Sequence, residues 1–237
     1  MKNGTFYAKR VKRLFSMLKK QHGAPDIPEP VDPVEQLILA LLSYDASEAE
    51  AVDAVKALSQ AMVDLNEIRV STIAEITAVI RSHIANPANR AAAIRSALNA
   101  VFRRNHRISL APLHKLGRRE ARQYLEKLKG VNSFAAASVM LWSLGAHAIP
   151  VSRRMFERLR EQDLIDPAAD IDEVQAFLER NISATDAKVF CLLMRDFVDS
   201  KPQESRAPGR ETPARAVGAP NTPAKRSKSP KAAARKK

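Results

Sequence analysis

The sequence predicts an all-α body followed by a polar, basic tail. Three observations lead there. Apolar residues recur at three- and four-residue spacing up to about residue 200, alternating strand-like runs are scarce, and helix-breaking or capping residues punctuate the pattern. Beyond residue 200 the composition shifts to Pro, Ala, Ser, Lys and Arg, with no aromatic residue, so 201–237 is expected to be disordered.

Ten helices are expected. The first covers 6–21, within MKNGTFYAKRVKRLFSMLKK, where scattered charges replace the unbroken apolar run of a secretory signal. Pro28, Pro30 and Pro33 precede the second, 32–43, and Asp45 and Ser47 separate it from the third, 47–63. A fourth follows at 73–83, and Pro87 opens the fifth, 88–104. The sixth and seventh, 118–128 and 134–144, flank a short turn, and 150–160, 170–180 and 184–199 complete the body. No internal repeat is evident, and the helices are too short and interrupted for a coiled coil.

Charge and composition bound the function. The formal net charge is +13, of which the tail carries +9, from eleven Lys and Arg against Glu204 and Glu211, leaving +4 for residues 1–200. That excess calls for a polyanionic partner without separating DNA from RNA or acidic membranes. No segment approaches transmembrane length, so no membrane role is expected. The single cysteine, Cys191, excludes an internal disulfide and any thiolate cluster and fits a reducing compartment, the cytoplasm or a bacterial nucleoid. His22, His83, His106, His114 and His147 lack the paired spacing of zinc ligands, so no metal site is expected.

The chemistry-bearing stretch is RREARQYLEKLKGVNSFAAASVMLWSLGAHAIPVSRRMFERLR, residues 118–160. In LKGVNSFAA, Gly130 can adopt the left-handed conformation that ends a helix, and Asn132 is, after Gly, the residue that tolerates it best. Ser133 is then expected to cap the next helix, leaving main-chain N–H groups aimed outward at a phosphate, directly or through a cation. Leu128 and Val131 anchor the turn in the core, and Ala135, Ala136 and Ala137 let the two helices approach closely. Such a corner, with Lys129 beside it, grips the backbone without reading sequence. An ordinary Gly-capped corner gives the same pattern.

The order LKGVNSFAA, a dozen mostly apolar residues, then AIPVSRRMFERL resembles the hairpin and following helix of the endonuclease III family of helix-hairpin-helix DNA glycosylases. Upstream, DPVEQLILALLSYDASEAEAVDAV (32–55) is similar to the family's first barrel helix and its DNA-facing loop, and IANPANRAAAI (84–94) is a weaker match. The resemblance covers most of residues 6–200. It implies a two-lobed fold: a six-helix barrel over 32–144, with the helix-hairpin-helix at 118–144, and a second helical lobe from 1–31 and 145–200. Double-stranded DNA, with or without a lesion, would lie in the cleft between them, the target nucleotide flipped out of the stack.

The sequence departs from the family at the residues that cut. Where bifunctional relatives carry a nucleophilic lysine, this chain has Phe134, which cannot form a Schiff base. Where active members keep an aspartate to stabilise the cationic transition state, it has Ser152, which can cap a helix but brings no charge. Asp45 and Glu157 are the carboxylates that could substitute. Asp45 falls where the family often places a residue that fills the gap of a flipped base, and it also reads as a cap for the helix beginning near Ser47. The iron-sulfur cysteines of many relatives are missing, so no cluster and no other cofactor is expected.

Tyr44, beside Asp45, could stack on a base, whereas Trp142 reads as core. Arg153, Arg154, Arg158 and Arg160 make one basic face and Arg103, Arg104 and Arg107 another, each either solvated or touching DNA backbone. The DNA-binding set is thus Tyr44, Asp45, Lys129, Gly130, Val131, Asn132, Ser133, Arg153 and Arg154. The sequence points to a DNA-binding protein of the base-excision-repair glycosylase superfamily, a monomer, with weak or no glycosylase or lyase activity. Two alternatives stand beside it: a monofunctional glycosylase using Asp45 or Glu157, and a chromatin-like packaging protein driven by the tail.

Overall fold

The computed structural model describes residues 3–200, and helices are the regular structure found among them. In chain order they are α1 (Gly4–His22), α2 (Pro33–Ser43), α3 (Glu48–Ala61), α4 (Leu65–Val70), α5 (Ile73–Ile80), α6 (Pro87–Asn105), α7 (Arg118–Glu126), α8 (Ser133–Trp142), α9 (Arg153–Glu161), α10 (Ile171–Asn181) and α11 (Ala187–Asp199), with a 3-10 turn at Ala111–Lys115. The all-α expectation holds. All ten expected helices appear, within a few residues at each end, and the disorder expected for 201–237 lies outside the described residues.

Two elements were not anticipated. Helix α4 has six residues, too few to display a hydrophobic period, and is set by Asp64, whose side chain accepts from Glu67 N. The 3-10 turn carries one buried anchor, Leu113.

Capping chemistry fixes most boundaries. The Asp32 carboxylate accepts from Val34 N and Glu35 N ahead of Pro33, the first residue of α2. Reciprocal boxes, Ser47 with Glu50 and Thr72 with Glu75, open α3 and α5. The cap expected of Asp45 therefore belongs to Ser47.

Helix α8 explains how the rest assembles. Every residue from Phe134 to Trp142 is buried, so the helix is covered on all sides and lies inside the molecule. Its principal partners are α2, α7 and α11. Helices α2 to α8 pack on one another, while α1, α9 and α10 gather on or near α11, and α8 against α11 joins the two sets. Charged contacts tie them further: Arg122 of α7 makes a two-pronged pair with Glu179 of α10 at 2.9 and 3.0 Å. None of the described helices is long and apolar enough to cross a membrane.

Candidate functional site

The corner between α7 and α8 is a tight turn at Gly130, whose φ is +93°, a conformation that L side chains rarely adopt. Packing imposes the same residue independently, because a Cβ there would lie 2.6 Å from the Ala93 carbonyl oxygen and 2.9 Å from the Ser96 Cβ on α6. Two details correct the sequence reading. Asn132 is not left-handed: it sits at φ −97° and is itself the cap, its side-chain oxygen accepting from Ala135 N at 2.8 Å. Ser133 is the first helical residue rather than the cap, since the shorter turn brings Asn132 into the capping position.

The amides of this corner divide in two. Val131 N donates to the Leu128 carbonyl at 3.1 Å, which fixes the turn. The N–H groups of Gly130, Asn132 and Ser133 have no hydrogen-bond partner among the described residues. Gly130 and Lys129 are exposed, and Asn132 and Ser133 border an open hollow of about 320 Å³ toward α10. An exposed set of main-chain donors at a helix N-terminus favours an anion. Arg104 of the second basic patch supports the turn from below, donating to the Tyr124 and Lys127 carbonyls, both at 3.3 Å.

The loop after α2 converges with the start of α9. Asp45 is largely buried and lies between two guanidinium groups, Arg90 at 3.2 Å and Arg153 at 3.1 Å, both ion pairs without hydrogen-bond alignment. Arg153 N donates to the Tyr44 carbonyl at 3.1 Å. The Tyr44 ring is held between the Arg90 guanidinium, 5.3 Å away, and the Phe134 ring, 5.7 Å away. Tyr44, Asp45, Phe134 and Arg153, far apart in sequence, thus form one cluster.

Behind that cluster lies a cavity of about 200 Å³ whose walls include Gln36, Phe134, Trp142, Ser152, Cys191 and Arg195. Ser152 caps α9 by accepting from Met155 N at 3.1 Å. The carboxylates that reach the wall are not the anticipated ones. Glu48 pairs with Arg195 at 3.0 Å and Asp199 with Arg154 at 2.6 Å, while Glu29 is exposed. Glu157 is exposed on α9 and is not part of the wall. Burial pushes the Cys191 thiol up to about 12.

The remaining arginines of α9 are also engaged, Arg158 with Glu161 at 3.7 Å and over the Phe197 ring, Arg160 over the Phe156 ring. Trp142 is buried, as expected, yet also faces the cavity. Gln36, Glu48 and Arg195 were missed because they sit in ordinary amphipathic stretches, where nothing local marks a cavity wall.

No protein-family model and no curated protein sequence matches the chain. Solved structures do. Endonuclease III trapped in a covalent intermediate with DNA matches with a TM-score of 0.63 at 21% identity, over 80% of this chain and 85% of that one. The Clostridium acetobutylicum 8-oxoguanine glycosylase/lyase, in complex with double-stranded DNA containing cytosine opposite 8-oxoguanine, matches with 0.62 at 15% identity, over 82% and 70%. An H. pylori 3-methyladenine DNA glycosylase bound to 1,N6-ethenoadenine matches with 0.58 at 17% identity, over 81% and 95%.

Proposed function

We propose that this chain, which has the endonuclease III-like helical fold, binds duplex DNA as the base-excision-repair glycosylases of that fold do, with weak or no glycosylase or lyase activity of its own. The observation that carries the binding is the Gly130 corner, with three unbonded amides at an exposed turn beside Lys127 and Lys129. The solved neighbours with DNA in their structures support the same partner. The tail adds affinity that is indifferent to sequence, through counterion release. No cofactor is called for.

The loss of activity is argued from what surrounds the two substituted positions. Phe134 packs against Tyr44 and offers no nucleophile, and the Ser152 hydroxyl is occupied in capping. Asp45 is already paired with two arginines, and Glu157 is exposed and is not part of the cavity wall. No observation favours either carboxylate as a replacement.

The test uses the full chain and a version ending at residue 200, with duplexes carrying oxidised, deaminated, alkylated and abasic positions. Preferential binding to a lesion without base release is the expected result. Base release would overturn the inactivity, and equal binding to every duplex that vanishes with the tail would overturn lesion recognition in favour of packaging. Borohydride should trap no covalent adduct between the natural chain and an abasic duplex, whereas the F134K/S152D double variant should give one.

A further inference from the structure

We infer that the end of α6 is a second phosphate-contacting surface continuous with the Gly130 corner. Arg103 and Arg107 meet the duplex backbone there, and Arg104 between them holds the patch in register with the corner. The proposal rests on the DNA-binding reading and extends the surface that reading assigns.

Three arginines that look alike in sequence are treated differently by the fold. Arg104 is engaged: its guanidinium donates to the Tyr124 and Lys127 carbonyls, both at 3.3 Å, and lies over the Tyr124 ring, 4.9 Å from its centre. Those carbonyls stand at the end of α7, where a helix leaves its last acceptors without main-chain donors. A planar fork with donors on two nitrogens can meet both at once. A second clasp runs beside the first. The Tyr124 hydroxyl donates to Asn105 Oδ1 at 2.9 Å, and Asn105 Nδ2 donates to the Ser109 carbonyl at 2.7 Å. The ends of α6 and α7 are thus fastened to each other, three residues before Gly130 in the case of Lys127.

Arg103 and Arg107 are the opposite case. Both are exposed, and neither has an ion-pair or hydrogen-bond partner among the described residues. The helix dipole accounts for a cation at Arg103, in the last turn of α6, but the helix ends at Asn105 and Arg107 lies beyond it. No Asp or Glu occurs from residue 76 to 119, and the next acids along the chain are engaged: Glu120 accepts from Gly117 N at 3.1 Å, and Glu126 pairs with Arg122 at 3.0 Å. Around the single clamp at Arg104, unpaired cations therefore stand on both sides, Arg103 and Arg107 on α6 and beyond, Lys127 and Lys129 before the corner.

Such a set suits the backbone of a duplex, which presents charge and carries no sequence information. Double-stranded DNA has one phosphate per roughly 1.7 Å of axis, so a strand gripped at the corner brings further phosphates to whatever cations adjoin it. The clamp fixes those cations in advance, which reduces the ordering that binding would otherwise require.

The test titrates the full-length chain onto a fluorescent undamaged duplex by anisotropy at several salt concentrations. R103Q/R107Q should bind about tenfold or more weakly near 0.1 M salt, and its slope of log K against log salt should fall by about 1.8, for two phosphates at about 0.9 each. R103K/R107K should restore both quantities, because a phosphate accepts a point charge. Arg104→Lys keeps the charge and loses the fork, so affinity should fall while the slope stays. Tyr124→Phe removes a clasp without altering any charge and should act in the same direction, and it stands in for Arg104→Lys should that chain not fold.

An unchanged slope for R103Q/R107Q overturns the phosphate contacts, and natural affinity in both Arg104→Lys and Tyr124→Phe overturns the positioning role. The two readings fail distinguishably. Duplex binding by the natural chain with a slope indifferent to R103Q/R107Q sinks only the α6 patch, whereas no duplex binding by the natural chain sinks the DNA-binding reading and the patch with it.

Discussion

At the scale of single residues, a glycine at 130 is demanded twice, by a positive φ and by the Ala93 carbonyl against which the turn is pressed. Gly130→Ala is therefore expected to cost about 2–4 kcal/mol in urea denaturation, combining backbone strain with overpacking against main chain that cannot yield. Weakened DNA binding by that variant would report folding as much as contact. Lys129→Glu is the cleaner probe, since the side chain is exposed and its reversal should reduce duplex affinity at unchanged Tm. Asp45 was legible as a polar residue in a loop, and its partners were not, because Arg90 and Arg153 lie 45 and 108 positions away. Asparagine in its place leaves Arg90 without its anion and releases the half-exposed Arg153, so Asp45→Asn should lower stability by on the order of 3 kcal/mol and raise affinity for undamaged duplex in a filter or anisotropy titration.

At the scale of elements, local chemistry did most of the work, which is why so many boundaries could be read in advance. The Ser47–Glu50 and Thr72–Glu75 boxes are four-residue signals, and the serine or threonine cap of each is worth about 1 kcal/mol, the loss expected for Ser47→Ala or Thr72→Ala in thermal unfolding. Both glutamates are held below the ordinary 4.5, first by the backbone N–H of the capping residue and then by its hydroxyl. Because the folded value is the lower one, this stabilisation is complete above about pH 4.5 and disappears as pH falls through the depressed folded values. The E50Q/E75Q double variant should accordingly show a shallower loss of Tm on acidification than the natural chain. Where signals competed, the sequence was ambiguous: Asn132 and Ser133 are both good caps, and the length of the Gly130 turn decided between them.

At the scale of the whole molecule, charge is unevenly divided, with +9 on residues 201–237 and +4 on the rest. Ending the chain at residue 200 should weaken duplex binding and flatten its salt dependence, the slope of log K against log salt falling by about 0.9 for each phosphate the tail neutralises. If the slope is unchanged, the tail does not touch DNA. Helical class, tail, element order and the glycine corner all followed from the sequence, because periodicity, capping and composition act over a few residues. The cavity, the pinning of Asp45 between two arginines and the exposure of Gln36 to an interior space were decided only by tertiary packing, since they depend on which faces of α2, α6, α8, α9 and α11 meet, and amphipathic patterning shows that a face is buried without showing what it is buried against.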